Sequence, residues 1–391
     1  MKISIRDIPL LLLVFWLLVW NFGITEFQNY YSVDFFAWII RFLSLLYFFF
    51  ALNYNSKAKK SHILIYIIII IFLLYLCIKS ENTRYFDTIF FVLVLRDTDY
   101  KRILKIGSYT QFAIIILTIA CSLIGIIPNE QVFNAGRVRY NLGFIYCSYS
   151  ANMLFFAVAG LIASLPLDRK LNLRKVIILS LINILVFRYT DTKASFWGTI
   201  LLIFITYLIR KTTFKNEFLK VKAFLTTNFV PISAFISILV GLYYNASNPI
   251  YLFLNTISSG RIYMAYVGLK RYGIHLLGSN FEWSTDHTSE YFYVDSSYIN
   301  ILLTMGLLAL ALVSLGFARL GYYSVVKLKD KKLAIVLLFV AIHCFTDPQL
   351  LDLRYNLFII ICFNSFITVN NQVESSTNKS KLIKRSFYYE S

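Results

Sequence analysis

Long apolar runs separated by short polar breaks are the dominant pattern of this chain. Twelve runs are read as membrane-spanning helices, which need about 20 mostly apolar residues. They lie near 8–21, 35–52, 62–78, 86–95, 106–127, 144–165, 175–188, 195–210, 223–243, 298–318, 333–346 and 355–370. The fourth is short, and the seventh and eighth meet at a polar turn. The pattern predicts an all-α, polytopic integral membrane protein of about twelve transmembrane helices, one transmembrane domain over 1–370 with a polar tail at 371–391. The first run follows Lys2 and Arg6 and has no small-residue cleavage site, so it is expected to stay as a helix.

One long segment breaks the pattern. Residues 245–298 are too polar for hydrocarbon and mix Arg261, Lys270, Arg271, Asp286, Glu290 and Asp295 with eight tyrosines or tryptophans. Long loops inside compact folds are usually functional, so the spans are expected to be scaffold and this loop to carry the chemistry. No internal repeat and no pair of Gly/Pro-interrupted spans is visible, which argues against a transporter built from inverted repeats.

Composition agrees. With 58% hydrophobic and 15% charged residues, a soluble globular class is excluded. The net charge of +18 does not point to nucleic acid, because the basic residues cluster between apolar runs as in cytoplasmic loops. With the N-terminus inside, 27 of the 38 Lys and Arg residues fall on the cytoplasmic side and twelve of the 20 carboxylates on the other. The expected localisation is therefore the cytoplasmic membrane, with both termini inside and two long outer segments, 128–143 and 244–297. The five cysteines form no CxxC pair and the four histidines show no metal-ligand spacing, so neither a disulfide framework nor a metal site is indicated.

Within the long segment, Ser258 or Ser259 is placed to N-cap a helix that Gly273 ends, with Lys270 and Arg271 in its last turn. Ile262, Ala265, Tyr266, Leu269 and Tyr272 recur at helical spacing, which predicts an amphipathic helix on the outer membrane face or on the spans. Arg261 falls in its first turn. The helix dipole disfavours a cation there by ~0.3–1 kcal/mol, and a bound anion reverses the sign, making a phosphate site. An exposed arginine on an interfacial helix is the plain alternative. Arg137 and Arg139 stand on the same outer side, where arginines are usually avoided, and Arg188 and Lys193 add two more cations. Cations drawn from separate loops suit a ligand with more than one phosphate, although arginines meeting lipid headgroups explain them too.

Asp295 precedes the tenth span in VDSSY, where helix capping is the simpler role. A carboxylate there can also act as general base, with Glu282, Asp286, His287 and Glu290 as rivals. Asp347 and Asp352 are read as helix caps or as partners of Arg354. The Asp97–Thr98–Asp99 triplet is read as a solvated turn, and Glu26 and Asp34 as unpaired.

Several segments in this order are similar to a known family. Ser259–Arg261 (SGR) precedes a helix ending in Tyr272–Ile274 (YGI) and Leu276–Gly278 (LLG). VDSSY and a span containing Thr304–Gly306 (TMG) follow. Arg137–Phe144 (RVRYNLGF), Thr190–Phe196 (TDTKASF) and Thr346–Asn356 (TDPQLLDLRYN) fit as well. The arrangement resembles the Wzy-type polysaccharide polymerases, relatives of the O-antigen ligases. The resemblance implies a GT-C-like membrane glycosyltransferase that needs no nucleotide sugar, cofactor or metal. Its donor and acceptor would be oligosaccharide repeat units on undecaprenyl diphosphate, joined at the outer face for a capsule, O-antigen or exopolysaccharide. A flippase and chain-length regulator proteins are the further partners implied. Arg261 would hold the diphosphate, assisted by Arg137 or Arg139. The ligases carry a histidine where this chain has Asp295, which would make Asp295 the base, and Lys193 replaces an arginine of the family's turn. A ligase of the same fold and a lipid-linked oligosaccharide flippase are the alternatives.

Overall fold

A computed structural model describes residues 7–54, 71, 74–75, 84–96, 98–134, 137–209, 213, 219–279, 283–284 and 292–363. Outside the described residues lie nearly all of the third predicted span, the tail 371–391, and Asp97, Glu282, Asp286, His287 and Glu290.

The elements are α1 (Ile8–Phe22), a 3₁₀ turn (Glu26–Tyr30), α2 (Val33–Tyr54), α3 (Arg84–Val94), α4 (Tyr100–Leu123), β1 (Gln131–Asn134), β2 (Arg137–Tyr140), α5 (Tyr149–Ser164), α6 (Leu173–Thr190), α7 (Lys193–Leu208), α8 (Leu219–Leu242), α9 (Pro249–Ile257), α10 (Arg261–Tyr272), α11 (Ser297–Val326) and α12 (Lys331–His343). A further helical stretch covers 358–363. Apart from the third, each predicted run meets one of these helices. Three of them, α4, α8 and α11, are long and apolar enough to cross a membrane, and α1, α5 and α7 are shorter and apolar. The chain is thus a mostly helical, membrane-embedded protein.

Helix α5 is the axis of the bundle. Every residue from Ser150 to Ser164 is buried, as expected of a helix that is apolar all round. Its small residues permit close approach: at Gly160 a methyl group would strike Ser108 of α4. Helices α4, α6, α7 and α12 surround it, while α8 packs most extensively on α11.

The outer segment 128–143 holds a short hairpin, and one expectation, the N-cap of the amphipathic helix, needs correction. β1 and β2 pair antiparallel with Val132 opposite Arg139 and Asn134 opposite Arg137. The β-branched and aromatic content of QVFN and RVRY suits a short hairpin. The amphipathic helix is present, but Gly260, in the left-handed region at φ 84°, is its N-cap in place of Ser258 or Ser259. Ser258 instead ends the preceding helix α9. Helix α10 lies on the spans: Ala265 and Leu269 are buried, and Gly241 of α8 and Leu303 of α11 pack against its small-residue face.

Helix α11 is broken at Gly306 (φ 88°, ψ 176°). The chain over 275–279 fills the break. Leu307 N–H donates to His275 O at 2.9 Å, Leu308 N–H to Leu276 O at 3.2 Å, and Ser279 N–H to Leu303 O at 2.9 Å. Non-helical backbone at membrane depth requires such internal partners. Gly278 and Gly306 meet back to back, and a methyl group on either would overlap backbone atoms of the other segment. The glycines of LLG and TMG therefore form one contact.

Candidate functional site

The polar side chains gather at the end of the bundle where α5, α7, α10 and α11 begin and α12 ends. Arg261, the first residue of α10, donates from Nε to Asp295 Oδ2 at 3.0 Å. Its Nη2 lies 3.9 Å from Asp347 Oδ1. Asp295 does not cap α11. Ser296 is the N-cap residue, and the Asp295 carboxylate turns to the guanidinium instead.

Asp347 is not a partner of Arg354, which takes a bidentate grip on Asp352 alone. It is buried and held from several sides. Asn152 Nδ2 of α5 donates to its Oδ1 at 3.1 Å, and Thr346 Oγ1 to its Oδ2 at 3.1 Å. His343 Nε2 stands 3.9 Å from Oδ2, with the ring stacked 4.3 Å from that of Phe155. Ser195 of α7 donates to Asn152 Oδ1. The start of α11 is tied to the same loop, since Ser297 N–H bonds Cys344 O and Ser297 Oγ accepts from Leu350 N–H.

Charge follows from this enclosure. Burial pushes the Asp295 carboxyl up to about 6. The Arg261 guanidinium opposes that shift and Asp347 reinforces it. For Arg261, burial opposes the charge, but Asp347 and then Asp295 overcome it and raise the guanidinium above its ordinary value. Tyr146 lies within electrostatic reach of Arg139, Asp295 and Arg261. Only one of the five N–H donors of Arg261 is committed to a hydrogen bond among the described residues. Four helix N-termini point their positive ends at the same region. The arrangement can hold an oxyanion on Arg261 and take up a proton at Asp295.

The other predicted cations divide. Strand β2 places Arg137 and Arg139 on one side, and both turn to the 190–192 corner between α6 and α7. Arg137 Nη1 bonds Asp191 at 2.8 Å, while Arg139 bonds Thr190 O at 2.6 Å and Thr192 Oγ1 at 3.0 Å. They staple a corner rather than reach Arg261. Arg188 and Lys193 are exposed, and no described contact joins them to the site. Glu26 is also paired, accepting from Asn29, and Asp99 caps α4.

Sequence reasoning missed Asn152, Ser195 and His343. Two signals were available: polar residues inside apolar runs are functional candidates by default, and His343 and Asp347 stand four residues apart at a helix end. No family model, curated protein or solved structure matches the chain.

Proposed function

We propose that this protein is a polymerase of lipid-linked oligosaccharide repeat units, working at the outer face of the cytoplasmic membrane on a scaffold of about twelve spans. The observation that carries the reading is the Arg261–Asp295 pair. A guanidinium with donors to spare stands beside a carboxyl pushed up to about 6, where helix N-termini converge. An acceptor hydroxyl oxygen attacks the anomeric carbon of the donor sugar, and the bond from that carbon to the diphosphate oxygen breaks. The hydroxyl proton passes to Asp295, and the undecaprenyl diphosphate leaves with its added charge on Arg261. Pre-placed cations lower the barrier by stabilising charge as it develops. Asp347 orients Arg261, and Arg137 and Arg139 act on the ligand only through the corner they brace.

The gathering of chemistry at one end favours an enzyme over a flippase, which needs cations in a central cavity. The test is the lipid-linked glycan profile of cells lacking the gene. Single repeat units should accumulate at the outer face, wild type should restore polymer, and Arg261→Ala at equal abundance should not. Accumulation at the inner face would identify a flippase, and full-length polymer left on lipid would identify a ligase.

A further inference from the structure

Helix α9 has no part in the chemistry above, yet it leads directly into Arg261. One side of it is occupied in joining its neighbours. The Tyr251 ring stands 6.0 Å from that of Tyr244, just beyond α8, and Tyr244 also meets Tyr263 and Tyr266 of α10 at 5.9 and 5.6 Å. Asn255 Oδ1 accepts from Tyr263 N–H at 2.9 Å, supplying the cap for which Gly260 has no side chain. Ser259 and Gly260, both left-handed at φ 56° and 84°, turn the chain from α9 into α10. The other side of α9 is bare. Pro249, Ile250, Leu252, Phe253, Thr256 and Ile257 are all exposed, and Ile250, Phe253 and Ile257, which share a face, are 63–68% exposed. No charged residue lies in α9, and the Thr256 hydroxyl is spent on Leu252 O at 2.8 Å. This side therefore presents hydrocarbon. The chain enters α9 only six residues after α8 ends, and α8 is one of the helices fit to cross a membrane. Leu242 and Tyr243, where α8 ends, are exposed in the same way. Tyrosines collect where spans meet headgroups, as Tyr243, Tyr244, Tyr251, Tyr263 and Tyr266 do here.

We propose that α9 is a membrane-surface helix, lying along the outer leaflet with Ile250, Phe253 and Ile257 among lipid chains. The occupant of the bare face is lipid. Helices of this kind bind through buried apolar area, supplemented by cations that attract anionic headgroups. Helix α9 has no cation, so its contact depends on area alone and is indifferent to lipid charge. Asn255 carries the position of α9 to the first turn of α10, which sets Arg261 at the depth of the headgroup phosphates. The membrane contact holds whatever Arg261 does. Its use rests on the polymerase reading: a hydrocarbon tail in the bilayer brings a lipid-linked diphosphate to that same depth.

The test places a photoreactive side chain on each side of α9 in the full chain, as Phe253→benzoylphenylalanine or Tyr251→benzoylphenylalanine. Irradiated in nanodiscs of phosphatidylcholine alone, the first should form lipid adducts, read by mass spectrometry, and the second should crosslink within the chain. High salt should leave the adduct yield unchanged, because no charge is there to screen. The same variants irradiated in cell membranes should again capture lipid at 253. Capture of a second copy or of another protein there would overturn the inference and make the face an assembly interface. Equal lipid adducts from both positions would also overturn it, since α9 would then have no fixed side. Phe253→Asp, which puts a charge among the chains, should abolish polymer at equal abundance, whereas Phe253→Leu should restore it. Full polymer from Phe253→Asp would overturn the link to Arg261. The adducts are read without substrate, so their absence counts against α9 alone, whereas absence of accumulating repeat units removes the polymerase reading.

Discussion

Two arginine–aspartate pairs, built from the same groups, do opposite things in this molecule. Arg41 of α2 and Asp87 of α3 are 9% and 1% exposed and fully engaged: Nε to Oδ1 at 2.6 Å, Nη2 to Oδ2 at 3.1 Å, and Trp16 Nε1 to Oδ2 at 3.0 Å. Arg261 and Asp295 are 27% and 29% exposed and share one hydrogen bond. The first pair is closed on itself between apolar helices and joins α2 to α3. The second is open and shared with Asp347, and leaves donors for a ligand. Saturation, rather than residue type, separates a closed pair from one with donors to spare.

Breaking the closed pair should have the largest effect on stability. Asp87→Ala leaves the Arg41 guanidinium buried without its partner, and removing one member of a buried pair costs about 3–5 kcal/mol. The expected result is a large fall in thermal unfolding temperature in detergent, with polymer yield per folded molecule unchanged. Replacing both residues together, as Arg41→Met with Asp87→Leu, should recover most of the loss. Failure to recover would mean that the charges themselves are used.

The open pair should respond to pH instead. Asp295 titrates near 6, above the ordinary 3.8, so the folded state binds its proton more tightly than the unfolded chain does. Its favourable contribution is full at low pH and is lost as pH rises through 6. Asp295→Asn should therefore unfold at a higher temperature than wild type at pH 7.5, with the gap closing toward pH 5, while polymer formation is lost. If Asp295 is the base proposed above, wild-type activity should fall as pH drops below about 6, where its carboxylate becomes protonated. A variant that is less stable at pH 7.5 would show that pairing with Arg261 outweighs burial.

The smallest effect is expected at the exposed staple. Arg137→Ala removes a pair that is 38% and 27% exposed, and such pairs contribute about 0.2–1 kcal/mol. Unfolding temperature should barely move. Arg139→Ala, which frees a carbonyl and a hydroxyl of the same corner, should cost more, and equal losses would contradict the division of roles between them.

Most of the helical layout was legible in the sequence because hydrocarbon imposes one simple requirement, a sustained apolar run. The Arg261 and Asp295 candidates were legible as well, since charge stands out in a loop flanked by spans. Their relationship was not. Asp295 precedes a helix, where capping is the cheaper explanation, and only the approach of α10 shows that its carboxylate goes elsewhere. Asn152 and Ser195 come from separate elements, and no spacing ties them to Asp347. They meet because α5, α7 and α12 pack side by side. The hairpin was hidden for a different reason: eight strand residues carry too little pattern to stand out between spans.

The break in α11 bears on how the protein is made. A span that enters hydrocarbon with Leu307 and Leu308 N–H groups unpaired would pay several kcal/mol for each. Their carbonyl partners, on His275 and Leu276, belong to chain synthesised earlier. The loop is therefore made before the span that it completes. Its folding and the membrane entry of α11 are expected to be coupled, so a damaged loop should reach the cell's quality control as an uninserted helix rather than as a slack binding end.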